Sequence, residues 1–349
     1  MLIRASVVIV SRGKPELLSR AIDSVINQDF PAKDFEIILV DDGSQKDDLA
    51  ALVKKKAKTF PAISCVRQGP LGLSAGRNTG AKNARGEIIV FTDNDCIADP
   101  QWLKNMVSKF TDGNVAGVEG KIIPAAPGEN ISPRKLFTNA PENLSGGKFT
   151  GANTAYRKEI ILKAGGYDEV MNFWREDSEF AFRAMEFGKI AFAKGAIIFH
   201  PPRPEKKLNA LRYLSFLRNE FICFLRHPVN YKKYIGFVHF ARDFGYSFFV
   251  LLAFYYVLFL PVPYPLQLQI ILKSFLLSIV PPILYSCIFS VAVFGKKISF
   301  DFHSLSDWID GVSYSYLGFA KYVLYLPFAL IGFILAIPLI NSWPKGEPG

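Results

Sequence analysis

With 349 residues, the chain is long enough for a domain with a full core and for more besides. It is 50% hydrophobic with 31 Phe, and its mean hydropathy of +0.19 is high for a soluble protein of this size and points to membrane contact. A formal charge of +10 leaves nucleic acid, an anionic membrane surface or an anionic substrate as partners. Four scattered cysteines without a CxxC pair argue against a disulfide framework or a zinc site and fit a reducing compartment.

The opening residues, MLIRASVVIVSRG, hold too short an apolar stretch for a signal peptide, so the N-terminal part is expected in the cytosol. Residues 5–10 are a short β-branched run. Over 15–28, Leu17, Leu18, Ala21, Ile22, Val25 and Ile26 recur at helical spacing behind a leading Pro. Residues 35–40 read as the next strand, ending in Asp41-Asp42-Gly43-Ser44. A Lys-rich helix, a weak strand near 63–66 and a helix over 73–84 follow. The fourth strand, 87–92, ends abruptly in Asp93-Asn94-Asp95. Strands alternating with helices predict an α/β fold with a parallel, mostly buried sheet. Such sheets bind ligands beyond the carboxyl ends of their strands, where both Asp41 and Asp93 fall.

Asp93 and Asp95 are two residues apart, so in an extended segment they point the same way. Two such carboxylates can hold a hard divalent cation, although Asp and Asn are equally common in an ordinary turn after a strand. Asp41 offers an acceptor for a base N–H or a ribose hydroxyl. Arg77 and Asn78, near a helix start, suit a phosphate, or a plain solvated helix face. Trp174-Arg175-Glu176-Asp177 opens a helix over 177–187, where acids serve either the helix dipole or, as a general base, an acceptor hydroxyl. His200 follows a strand-like run over 196–199 and is either structural or a metal ligand at the same sheet edge as Asp95.

The second half has another composition. In 205–228, Leu208, Leu211, Leu214, Leu217, Phe221 and Phe224 alternate with Lys206, Lys207, Arg212, Arg218 and Arg226. This predicts an amphipathic helix in the membrane interface, the alternative being a core-packing helix with a solvated basic face. Residues 244–263, 274–294 and 322–343 form charge-free stretches of 20, 21 and 22 residues, the ~20 needed to span a bilayer. Pro281-Pro282 kinks the second or makes it re-entrant. Lys232, Lys233 and Arg242 before the first span, and Lys296, Lys297 and Lys321 between the second and third, put the N-terminal domain and the 295–321 loop in the cytoplasm. The tail is then outside, against the weak contrary signal of Lys345. The expected division is a cytoplasmic domain over 1–203, an interface helix region over 204–240 and a membrane region over 241–349, in a multi-pass protein of the cell membrane. These segments account for much of the positive charge, and the sheet domain carries no aromatic-interleaved basic stripe, so no nucleic-acid partner is expected.

The segments VVIVSRGKPELLSRAIDSVINQ, EIILVDDGS, GLSAGRNTGAKNARGEIIVFTDND, GANTAYRKEIILKAGGYDE, REDSEFAFRAMEFG and AIIFHPP, in this order, resemble the inverting family 2 glycosyltransferases with the GT-A fold, over residues 5 to about 200. The resemblance implies a GT-A domain, followed here by an all-α membrane domain. It implies that Asp41 contacts the base of a nucleoside diphosphate sugar and that Arg77 lies near the base or diphosphate. Asp93 would hold the ribose, and Asp95 the Mn²⁺ or Mg²⁺ that bridges the phosphates. His200 would add a metal or phosphate contact, while Ser11, Arg12 and Asn94 complete the nucleotide-sugar contacts. Asp177 matches the base that deprotonates the acceptor hydroxyl, and Gly151-Ala152-Asn153, Trp174 and Glu176 would border sugar and acceptor. Arg218, with Lys206 or Arg212, would bind an acceptor phosphate or only lipid headgroups.

The chain also departs from the family. Ser11-Arg12-Gly13 stands where members often carry a Thr-Tyr-Asn-like stretch, so Arg12 is a candidate for the diphosphate. The QxxRW motif of processive synthases is absent, and CIADPQWL differs from the corresponding run of polyprenyl-phosphate mannose synthases. The expected activity is transfer from a nucleoside diphosphate sugar, with uridine the first choice of base, to a lipid-linked acceptor at the cytoplasmic membrane face. The alternatives are transfer directly to a polyprenyl phosphate, or a non-catalytic membrane scaffold on a nucleotide-sugar fold.

Overall fold

A computed structural model describes residues 3–130, 138–139, 141–204 and 210–236. The β-branched run near the N-terminus forms β1 (Ala5–Ser11), followed by α1 (Pro15–Ile26) and β2 (Phe35–Asp42). Then come α2 (Asp48–Lys56), β3 (Ile63–Gln68), α3 (Leu73–Asn83) and β4 (Ile88–Asp93). A short β5 (Ile97–Ala98) and α4 (Trp102–Val107) lead into β6 (Val115–Ile123). β7 (Thr138–Asn139), β8 (Asn153–Arg157), α5 (Lys158–Lys163), α6 (Glu176–Ala184) and β9 (Lys189–Phe199) follow. β10 (Arg203–Pro204) pairs antiparallel with β7, and α7 (Ala210–Arg226) is followed by a short helical turn, Pro228–Asn230, and a π-helix, Tyr231–Ile235.

The main sheet has the order β3-β2-β1-β4-β8-β6-β9-β5. The first four strands are parallel, and β8 runs antiparallel between β4 and β6. β2 and β3 build outward from β1 on one side and β4 on the other, so the chain reverses its direction of growth there. The carboxyl ends of β1 and β4 flank that point, where open α/β sheets form a crevice. Register aligns Ser11 with Asp41 and Val10 with Asp93, so the strand-end acids lie along one edge.

Both faces of the sheet are covered, which is why β1, β2 and β4 read as near-continuous apolar runs. Val7, Ile9, Ile37, Leu39 and Val90 pack with Leu18 and Ile22 of α1 and Trp102 of α4. Val8, Ile38, Val40, Ile89 and Phe91 pack with Ala81, Ile160, Ile161 and Phe180 on the other face. After Leu73, α3 carries no large apolar residue, because it lies very close to β1. A Cβ on Gly76 or Gly80 would sit 2.5 or 2.2 Å from a methyl of Val10 or Val8.

In its C-terminal half α7 packs against the sheet domain, as the core-packing alternative for 205–228 expects. Phe221, Ile222 and Cys223 are buried with Phe149, Met171, Ala181 and Phe182. The basic residues of this half turn inward too: Arg226 pairs with Asp168 at 2.7 Å and Glu179 at 3.2 Å, with 1% of its side chain exposed. Among the described residues no helix is long and apolar enough to cross a membrane. The three expected spans, 244–263, 274–294 and 322–343, lie outside the described residues, as does Lys206.

Candidate active site

β5 pairs antiparallel with β9, setting Ile97 opposite Phe199, and this brings the turn after β4 beside His200. His200 is 1% exposed; its amide donates to the Ile123 carbonyl at 2.9 Å, and its Nε2 lies 3.7 Å from Asp95 Oδ1. One ligand atom each from Asp93, Asp95, Cys96 and His200 lie within 4.8 Å of one another. Carboxylate oxygens with a single imidazole suit Mn²⁺ or Mg²⁺. Cys96 suits them poorly: burial, with the charges of Asp93 and Asp95, pushes its thiol well up and keeps it protonated. The donor set therefore fits the ion that the family resemblance implies.

On the other side of β1 lies the expected nucleotide pocket. Asp41 is buried; its Oδ1 accepts from the Ser44 amide at 2.9 Å, and its Oδ2 lies 3.8 Å from Arg67 Nε. Ser44 Oγ accepts from the Gly13 amide at 2.9 Å, which ties the loop after β1 to the loop after β2. Asn94 Nδ2 donates to Ser11 Oγ at 2.8 Å, fixing the turn after β4 to the end of β1. Between the loops after β1 and β2 opens a cleft of about 300 Å³ whose lining includes Arg12, Lys14 and Lys46 together with Asp48. Asp42 works differently from its neighbour: it accepts from Gln68 Nε2 and from the Leu71 and Gly72 amides, and so shapes the turn into α3.

Arg77 is not a solvated helix residue. It is 3% exposed, donates from Nη1 to Glu176 Oε1 at 3.0 Å, and holds Nη2 3.9 Å from Asp93 Oδ1. Its guanidinium lies over the Tyr167 ring, 5.2 Å from the centroid. A Cβ on Gly151 would come within 2.2 Å of Nη2, so only glycine leaves room for the guanidinium at that point. Burial works against the Arg77 charge, but Tyr167, Glu176, Asp93 and Asp177 together hold it more firmly protonated than usual. Arg77 thus bridges the metal-competent acids and the start of α6.

At that helix start, Glu176 is buried and its carboxyl is pushed up to about 7 by burial and by Asp177, with Arg77 pulling the other way. Asp177 is half-buried. Its Oδ2 accepts from the Gly151 amide at 2.9 Å and its Oδ1 from the Ser178 amide at 2.7 Å. Two amides thereby fix its orientation, and a partly protonated Glu176 lowers the negative charge beside it. Trp174 and Arg175, just before, both have left-handed backbones, with φ of 73° and 66°. Such a conformation costs on the order of 1–3 kcal/mol per residue and needs support from its surroundings.

Other expected site residues have different work. Asn153 accepts from Trp102 Nε1 at 2.8 Å and donates to the Lys121 and Ala196 carbonyls. Its amide knits β8 to α4, β6 and β9. Arg218 donates from Nη2 to the Val170 carbonyl at 2.8 Å and so holds a loop of the domain. Trp174 is 44% exposed near Asp177, stacks on Phe216 at 5.4 Å and donates from Nε1 to Glu220 at 2.5 Å. Glu176 meets Arg77 rather than open space. Two organising residues escaped the sequence reading. Glu119, buried in β6, accepts from Asn143 Nδ2 and from the Gly147, Lys148 and Phe149 amides. Its signal is a lone acid inside the apolar run VAGVEGKII. Glu220 binds Trp174, Arg175 and Tyr231, and the pattern of α7 alone does not announce it.

The comparisons with known proteins agree with this geometry. Residues 6–165 match the model of "Glycosyl transferase family 2". The chain is similar to "Glycosyltransferase AglE" of Haloferax volcanii, 27% identical over 206 residues, which are 57% of this chain and 67% of that protein. It is also similar to "Probable N-acetylgalactosaminyltransferase 9" of Caenorhabditis elegans, 29% identical over 218 residues, covering 53% of this chain and only 36% of the nematode protein. The crystal structure of GalNAc-T7 with UDP, GalNAc and Mn²⁺ aligns with a TM-score of 0.50 at 20% identity, over 66% of this chain and 51% of that one, a likeness of fold. Residues 6–165 are thus similar to glycosyl transferase family 2, and the chain has an α/β, GT-A-like fold with a mostly parallel sheet.

Proposed function

We propose that this chain is a membrane-anchored, inverting glycosyltransferase that moves a sugar from a nucleoside diphosphate sugar to the hydroxyl of a lipid-linked acceptor. The observation that carries this reading is the cluster of Asp93, Asp95 and His200 at one sheet edge, linked by Arg77 to Glu176, the neighbour of Asp177 at the start of α6. Asp41 accepts from the base and Asp93 from the ribose hydroxyls, with Ser11 and Asn94 between them. Arg12, Lys14 and Lys46 line the diphosphate side. Asp95 and His200, with Asp93 beside them, would hold Mn²⁺ or Mg²⁺, which when bound offsets the charge developing on the departing diphosphate. Asp177 takes the proton of the acceptor hydroxyl, whose oxygen attacks the anomeric carbon opposite the leaving group and inverts it. Arg77 acts less on the donor itself than as a brace between Asp93 and Glu176. The Mn²⁺ and UDP of the GalNAc-T7 structure support a metal-assisted, uridine-linked donor.

The charge-free stretches 244–263, 274–294 and 322–343 and the Lys and Arg around them support membrane anchoring with the domain over 1–203 in the cytoplasm. A lipid-linked acceptor then shares the membrane face with the enzyme. The test is a panel of UDP-glucose, UDP-galactose, UDP-N-acetylglucosamine and GDP-mannose against a total membrane lipid extract, with mass detection of product, with Mn²⁺ and with EDTA. A glycosylated lipid formed only with the metal is expected. A protein that neither binds a nucleoside diphosphate with Mn²⁺ nor releases one would contradict the reading and favour a scaffold.

A further inference from the structure

The turn before α6 is held from outside the sheet domain's own loops. Trp174 and Arg175 are consecutive left-handed residues without a glycine, and Arg175 provides no side-chain cap to the helix that carries Asp177. Three successive residues of α7 supply the missing support. Arg218 donates to the Val170 carbonyl at 2.8 Å, and Asn219 Nδ2 donates to the Phe173 carbonyl at 2.7 Å. Glu220 accepts from Trp174 Nε1 at 2.5 Å, from Arg175 Nε at 3.0 Å and from the Tyr231 hydroxyl. The Arg175 guanidinium in turn lies over the Trp174 ring, 5.1 Å from its centroid.

We propose that Glu220 is a positioning residue for Asp177, setting the Trp174-Arg175 turn so that the carboxylate two residues on faces the acceptor. The proposal rests on the reading of Asp177 as the base. Glu220 is suited to this task because α7 has docking contacts that do not involve it. Arg226 pairs with Asp168 and Glu179, and Phe221, Ile222 and Cys223 are buried against α6, independently of the Glu220 carboxylate. Glu220 therefore acts on the turn more than on the fold. A displacement of about 1 Å at a reacting group costs on the order of 10²-fold in rate.

The test uses the full chain in detergent with the donor giving most product from the sugar-nucleotide panel. Glu220→Ala is expected to lower kcat by about 10- to 100-fold, with the Kd for UDP plus Mn²⁺ essentially unchanged at a temperature below the melting point, which itself falls because Arg175 loses its partner. Glu220→Gln, which keeps an acceptor oxygen for the turn, recovers most of the rate. In an Asp177→Asn background, Glu220→Ala has no further effect, because the group it positions is gone. An unchanged kcat, a loss that multiplies onto that of Asp177→Asn, or UDP binding that falls in step with kcat would overturn the proposal. Asp177→Asn inactive with Glu220→Ala fully active would overturn the positioning role alone. Near-full activity of Asp177→Asn would overturn the base, and with it the role of Glu220.

Discussion

Glu176 and Glu179 lie three residues apart on α6 and titrate in opposite directions. Burial and the neighbouring Asp177 push Glu176 up to about 7. Its stabilising contribution is therefore fully present below about 4.5, the unfolded value, and is lost as pH rises through about 7. The shift corresponds to roughly 3 kcal/mol. Burial works the other way on Glu179 from the rest: it would raise the carboxyl, but bonds from His227 and Arg183 hold it down to about 2. Its contribution is present above about 4.5 and is lost as pH falls toward about 2. Glu176→Gln should therefore reduce the loss of thermal stability between pH 5 and pH 8, as read from melting curves; an unchanged pH dependence would sink this assignment. The strand-end acids could be read in the sequence because an apolar run that stops at Asp93-Asn94-Asp95 is a local signal. The partner of Arg77 could not, since Glu176 lies 99 residues away and only the fold brings it near.

Among the elements, β1, β2 and β4 declare themselves through near-continuous apolar runs and α1 through helical spacing, whereas β3 (ISCVRQ) is a weaker signal. β6 does not declare itself, because its run VAGVEGKII carries Gly and Glu where a strand interior is usually apolar. Both interruptions have packing reasons. A Cβ on Gly117 would lie 2.6 Å from the Tyr156 ring, and Glu119 gathers the amides of 147–149 beneath the loop that reaches Gly151. β9 was legible only in its last four residues, since much of the strand is partly exposed. Glu119→Ala leaves several amides of that loop without their acceptor. It should cost about 3 kcal/mol or more in chemical denaturation; a loss below 1 kcal/mol would mean the loop is held by other contacts. α7 was ambiguous between interface and core because its apolar spacing fits both, and its docking on α6 is a tertiary fact.

For the whole molecule, α7, whose C-terminal half is packed on α6, leads from the sheet domain towards the segments proposed to anchor the chain in a membrane. The full chain is expected to stay with membranes after alkaline carbonate extraction; release into the supernatant would contradict anchoring by the segments over 244–343. The central claim is that Asp177 is the base of a glycosyl transfer, and the most direct measurement is the turnover of Asp177→Asn beside its affinity for UDP with Mn²⁺. The account predicts a fall in kcat of about 10²- to 10⁴-fold with UDP–Mn²⁺ affinity preserved. Near-full turnover would contradict it and point instead to an acceptor already ionised, such as a lipid phosphate.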